Sequence, residues 1–115
     1  MTGIVKTPAD ALEVAAEHIR AGWTQHQTWE MVDGKRHCCA EGALWFACGA
    51  SVGLDGADFS IDPKGYNLWF TTVDELELFI GTEVSSWNDS LGQTQERVAD
   101  TMLRLAKELR NNESS

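Results

Sequence analysis

The sequence has few positive charges and no long hydrophobic run. Nine Lys and Arg residues stand against 18 Asp and Glu in 115 residues, so the formal net charge is −9. Such a chain repels phosphates and anionic lipids, so we expect neither nucleic-acid binding through phosphate contacts nor attachment to an anionic membrane. The longest uncharged stretch, from Gly42 to Leu54, is too short and too rich in glycine to span a bilayer.

Secretion signals and paired cysteines are also missing. Residues 1–6 do not show the charged and then apolar pattern of a signal peptide, and the three cysteines are odd in number. We therefore expect a cytoplasmic protein in which Cys38, Cys39 and Cys48 are reduced and buried. Together with His37 they lack the paired spacing of a zinc site, so we expect no metal and no cofactor.

What the chain does have is the composition of a globular protein. Hydrophobic residues make up 43% and charged residues 23% of the chain. Its length is that of one domain with a single core. We predict one globular domain over residues 1–115, with a frayed polar tail over 111–115.

Cap and turn residues predict the secondary structure. Thr7-Pro8 opens a helix that ends near Gly22, and Thr94 caps the last helix. A capping box at Thr72 predicts a short helix that ends at Gly81. Residues 51–71 are rich in glycine, so we predict an irregular but packed segment there, with room for one short strand at 68–71.

Asp33-Gly34, placed between two short extended runs, is a strong β-hairpin signal. A two-residue turn sets the register and pairs Trp29 with Cys38. On this register Trp29, Met31 and Cys38 share one face, which we expect to contact the core.

The segment from 39 to about 50 has Glu41 as its single charged residue, so we predict a buried central helix there. The expected fold is α+β and mostly α, with about four helices around this central helix and one β-hairpin.

Two kinds of site remain open. Cys38 and Cys39 stand where the central helix begins, and the helix dipole there lowers the pKa of a thiol. One hypothesis is therefore a cysteine-dependent hydrolase or transferase. Its base would be His18 or His26, oriented by Asn88 or Asp89.

The other hypothesis is protein binding without catalysis. Five tryptophans are too many to bury fully in so small a core, and partly exposed aromatics often mark a binding face. Their acidic surroundings suit a basic or mixed protein partner. A variant of this hypothesis is an acidic decoy that blocks a basic nucleic-acid-binding site, with Asp74, Glu75 and Glu77 as contacts.

Three segments together resemble an uncharacterised family of small proteins from high-GC Gram-positive bacteria and their phages. They are Gly22-Trp23-Thr24-Gln25, the Cys-Ala-x-Gly-Ala-Leu segment within 38–44, and Trp87-Asn88-Asp89 with Gly92 and Thr94. The resemblance implies that the cysteine junction and the Trp-Asn-Asp turn are neighbours. It also implies a phage-encoded protein that acts in the bacterial cytoplasm by binding a host protein.

Protein binding is the function that we predict, without catalytic residues. The predicted contact region is an aromatic-lined groove formed by Trp23, Gln25, Cys38, Cys39, Trp87, Asn88 and Asp89.

Overall fold

The computed structural model describes residues 5–52 and 59–113. These residues form five helices and one two-stranded hairpin, which confirms the predicted α+β, mostly α class. The elements are α1 (Pro8–Ala21), β1 (Trp29–Val32), β2 (Lys35–Cys38), α2 (Ala40–Ala47), α3 (Pro63–Ile80), α4 (Val84–Asn88) and α5 (Gln95–Glu113).

Two of the three helices predicted from cap residues, α1 and α5, begin where expected. Thr7 and Asp10 form a reciprocal capping box at the start of α1, and Thr94 Oγ1 accepts the backbone N–H of Arg97 in α5. α1 and α5 pack along each other through small and aliphatic side chains. The helix α5 continues to Glu113, three residues into the segment predicted to be a tail. No helix in the described ranges is both long and apolar enough to cross a membrane.

The hairpin has the predicted register, with Trp29 opposite Cys38. Both turn residues, Asp33 and Gly34, have positive φ values of 51° and 78°. The prediction that Met31 faces the core is wrong, because its side chain is 58% exposed. The turn end of the hairpin projects past the core, so only the end that carries Trp29 and Cys38 is covered.

α2 is buried as predicted, but it is shorter. It ends at Ala47 rather than near residue 50. Gly42 allows an unusually close approach, because a Cβ at this position would lie 2.1 Å from the Thr28 carbonyl oxygen. The backbone before β1 therefore rests directly on α2.

The prediction of an irregular segment up to residue 71, with a strand at 68–71, is wrong. α3 is continuous from Pro63, and Asp62 caps it by accepting the Gly65 N–H at 2.7 Å. Thr72, predicted to start a helix, lies inside it and donates to the Leu68 carbonyl. Residues 53–58 of the predicted irregular segment lie outside the described ranges.

Candidate functional site

A fully buried asparagine, Asn88, lies at the centre of the predicted contact region. Its Oδ1 accepts the indole N–H of Trp23 at 2.8 Å and the backbone N–H of Ala40 at 2.9 Å. Its Nδ2 donates to the Thr24 carbonyl and to Asp89 Oδ1. The side chain therefore makes the four hydrogen bonds that an amide can make.

Gln25 and His26, which follow Thr24 in the chain, add further hydrogen bonds to this arrangement, which we call the Asn88 network. Gln25 Nε2 donates to the backbone carbonyl of Asn88 at 3.0 Å, and the His26 N–H donates to Asp89 Oδ1 at 2.8 Å. His26 has a φ of 69°, a conformation that is uncommon for residues other than glycine. The contact with Asp89 holds the His26 backbone in this conformation.

The cysteine junction and the Trp-Asn-Asp turn are neighbours, as the resemblance implied. The bond from Ala40, the first residue of α2, to Asn88, the last residue of α4, joins them directly. Cys38 is buried behind this contact, and its backbone N–H donates to the Gly22 carbonyl at 3.0 Å.

Cys39 caps α2, and its Sγ accepts the Gly42 N–H at 3.3 Å. Burial raises the pKa of Cys39 to about 11 and also raises that of Cys38. The expected burial of the three cysteines is confirmed. The lowered pKa on which the enzyme hypothesis rests is absent, because desolvation of the thiolate outweighs the contribution of the helix end.

A small pocket opens beside Cys39, with a volume of about 230 Å³. It brings together three residues of the hypothetical catalytic set, Cys39, His26 and Asp89. The imidazole Nδ1 of His26 lies 3.7 Å from Asp89 Oδ2. The full lining is His26, Gln27, Thr28, Cys39, Glu41, Ser85 and Asp89.

The other predicted contact residues do not line this pocket. Trp23, Gln25 and Asn88 belong to the network behind it, and Trp87 lines a separate depression next to α5. Within the described ranges, no group of three or more His, Cys, Asp or Glu residues could hold a metal ion.

Sequence reasoning missed an aromatic cluster between α2 and α3. The rings of Trp45 and Trp69 stack at 3.7 Å, Phe59 meets Trp45 edge-on, and Tyr66 lies about 6 Å from both tryptophans. The helical spacing of Tyr66, Trp69 and Phe70 is the sequence signal that could have predicted a helix carrying these aromatic residues. None of the five tryptophans is fully buried, as predicted.

Comparison with known proteins identifies one family. A family described as a family of unknown function (DUF6197) matches residues 4–108. This range includes the three segments on which the resemblance rests. No curated protein and no solved structure matches the chain.

Proposed function

The chain belongs to the DUF6197 family of unknown function, and we propose that it is a small acidic protein-interaction domain. In this proposal the pocket beside Cys39 receives one side chain of a partner protein. The resemblance to proteins of phages and their hosts supports a phage-encoded protein in the bacterial cytoplasm, with a host protein as the partner.

The observation that carries the proposal is the size of the pocket together with the hydrogen bonds that fix Asp89 in its wall. At about 230 Å³ the pocket is smaller than typical sites for cofactors or drug-sized ligands, which start at about 300 Å³. The Asn88 network holds the wall that contains Asp89, so little ordering is needed on binding.

The chemistry of the lining favours a cationic or hydrogen-bonding side chain. Asp89 and Glu41 contribute carboxyl groups, and Gln27 and Ser85 contribute further polar atoms. We propose that Cys39 and Asp89 touch the partner. Trp23, Gln25 and Asn88 would then support the wall from behind.

Two neighbouring serines of α4 allow a matched test. Ser85 lines the pocket, whereas Ser86 is exposed on the same helix and does not line it. Each protein is used to capture partners from a host lysate, and the captured proteins are measured by quantitative mass spectrometry. We expect the wild type and Ser86→Trp to retain the same proteins. Ser85→Trp should fill the pocket and lose them. Equal capture by all three proteins would contradict the proposal.

A cysteine-dependent hydrolase or transferase is the second candidate. The observation in its favour is that Cys39, His26 and Asp89 line one pocket, in which the imidazole Nδ1 of His26 lies 3.7 Å from Asp89 Oδ2. The observation against it is that burial raises the pKa of Cys39 to about 11, so the thiolate is scarce near neutral pH.

The pH dependence of alkylation decides between these candidates. In a chain with Cys38→Ser and Cys48→Ser, we expect the rate of iodoacetamide labelling at Cys39 to rise with pH up to about 11. A plateau already reached below about pH 8.5 would support the enzyme instead.

A further inference from the structure

Helix α3 carries a stripe of exposed side chains on one side. Tyr66, Phe70, Asp74 and Leu78 follow one another at intervals of four residues, which places them along the same helix face. We call these four residues the α3 stripe. Its three apolar members are 47%, 53% and 81% exposed, and the stripe spans about 18 Å.

The α3 stripe lies on the side of α3 that faces away from the core. The inward side of α3 is formed by buried residues such as Thr72 and Leu76, and no other helix or strand in the described ranges covers the α3 stripe. Its first member, Tyr66, is held in place by the aromatic cluster with Trp45 and Trp69. Apolar patches exposed on a rigid element commonly mark interaction sites.

Charge indicates what kind of molecule covers the stripe. After Lys64 in its first turn, α3 contains three acidic residues, Asp74, Glu75 and Glu77, and no further Lys or Arg. Leu78 borders a depression of about 460 Å³ together with Asp74, Glu77, Thr82 and Glu83. A basic side chain could lie there against a leucine with three carboxylates around it.

The same charges disfavour other occupants. A second copy of the chain would bring like charges against Asp74 and Glu77, which is unfavourable in an interface. An anionic lipid surface would be repelled in the same way.

We propose that the α3 stripe docks a basic amphipathic segment of a partner protein. Its apolar residues would lie on Tyr66 and Phe70, and a Lys or Arg would enter the depression beside Leu78. The inference rests on the proposed protein-binding function, but it uses a surface that shares no residue with the pocket beside Cys39. It also gives the decoy hypothesis a surface, since Asp74, Glu75 and Glu77 lie on α3.

A defined peptide tests this proposal without knowledge of the natural partner. The probe is an 18-residue amphipathic helix of Leu and Lys, and the control is the same peptide with Glu in place of Lys. In NMR titrations of the ¹⁵N-labelled full chain, we expect saturable shifts confined to α3 and residues 82–83 with the Lys peptide. The Glu peptide should cause none.

Variants locate the binding surface. We expect Leu78→Lys and Phe70→Ser each to weaken binding of the Lys peptide at least tenfold. Met31→Ser should leave it unchanged, because Met31 is an exposed apolar residue of the hairpin. Shifts spread over the whole acidic surface, equal binding of the Glu peptide, or a larger effect of Met31→Ser would overturn the proposal.

Two further measurements separate the alternatives. Ser85→Trp should leave peptide binding intact. Loss of binding in that variant would mean that the peptide occupies the pocket beside Cys39, and the α3 proposal would fail while the proposed function stands. Concentration-dependent dimerisation of the wild type that Leu78→Lys abolishes would show that a second copy covers the stripe instead.

Discussion

The Asn88 network and the α3 stripe reverse the usual distribution of polar and apolar groups. In the first, a polar amide is fully buried and makes four hydrogen bonds. In the second, apolar side chains face solvent on a helix whose other side already packs against the core. Hydrogen bonds within the fold explain the buried polar group, whereas no contact within the described residues explains the exposure of Phe70 and Leu78, and we propose that these side chains bind a partner.

The three segments that resemble the family contribute to the Asn88 network and not to the α3 stripe. Trp23, Gln25, Ala40, Asn88 and Asp89 come from the three segments that resemble the family, and they meet in the Asn88 network. Hydrogen bonds explain the side chains at Trp23, Gln25, Asn88 and Asp89, whereas Ala40 contributes only its backbone N–H. The α3 stripe lies outside all three segments.

The largest expected effect is that of breaking the network. Asn88→Ala leaves the Trp23 indole and the Ala40 N–H without their acceptor, so we expect it to lower the free energy of unfolding by about 3 to 5 kcal/mol. Urea denaturation measures this change. The matched control is the exposed Asn67, where alanine should change stability by less than about 0.5 kcal/mol. If both variants lost a similar amount of unfolding free energy, the Asn88 network would have no special role in stability.

Gly42→Ala tests the close backbone approach beside the network. Alanine normally favours a helix over glycine by about 1 kcal/mol. Here the added Cβ would meet the Thr28 carbonyl oxygen at 2.1 Å, so we expect a net loss of about 2 to 3 kcal/mol in urea denaturation. A gain in stability would show that the segment before β1 can move away at little cost.

A partly exposed ion pair between α1 and α5 serves as a comparison for the buried Asn88 network. The Arg110 guanidinium donates to Asp10 and Glu13 across α1 and α5, and this contact is the main reason that the pKa of Asp10 is lowered to about 2. A lowered carboxyl pKa stabilises the fold above the unfolded value of 3.8 and stops doing so as pH falls through 2.

We therefore expect Arg110→Met to cost about 1 to 2 kcal/mol near neutral pH, allowing for solvent screening. The difference from the wild type should shrink as pH falls from 4 to 2. Denaturant titrations at several pH values measure it, and a difference that does not depend on pH would contradict the role of Asp10.

The smallest expected effect is at the α3 stripe. Leu78→Ser should change the free energy of unfolding by less than about 0.5 kcal/mol, because the side chain is 81% exposed. Leu76→Ser, two residues away and fully buried, should cost more than about 2 kcal/mol. If both substitutions were equally costly, the stripe would be part of the fold rather than a free surface.

Local sequence patterns were sufficient where one short segment decides the structure. Asp33-Gly34 set the hairpin register, and Thr7-Pro8 with Asp10 marked the start of α1. The same type of signal, Asp62-Pro63, starts α3, but the glycines around it led to the prediction of an irregular segment. Gly65 is tolerated in that helix because it lets α3 approach the carbonyl oxygen of Cys48.

The candidate site was predictable only in part. The resemblance implied that the cysteine junction and the Trp-Asn-Asp turn are neighbours, and the bond between Ala40 and Asn88 confirms it. The pKa of Cys39 could not be predicted, because the helix end and burial act in opposite directions and only the packing shows which is larger.

Caps, turns and hydrophobic spacing depend on residues that are close in the chain. From these followed the hairpin, the starts of α1 and α5, the buried α2 and the fold class, but not α3 or α4. The roles of Asn88, Cys39 and Leu78 depend on neighbours that the chain brings from far away. Asn88 is 48 residues from Ala40 and 65 from Trp23, yet it bonds to both. Whether a side chain becomes a buried hydrogen-bonding centre or an open contact surface is decided when distant segments pack and exclude water.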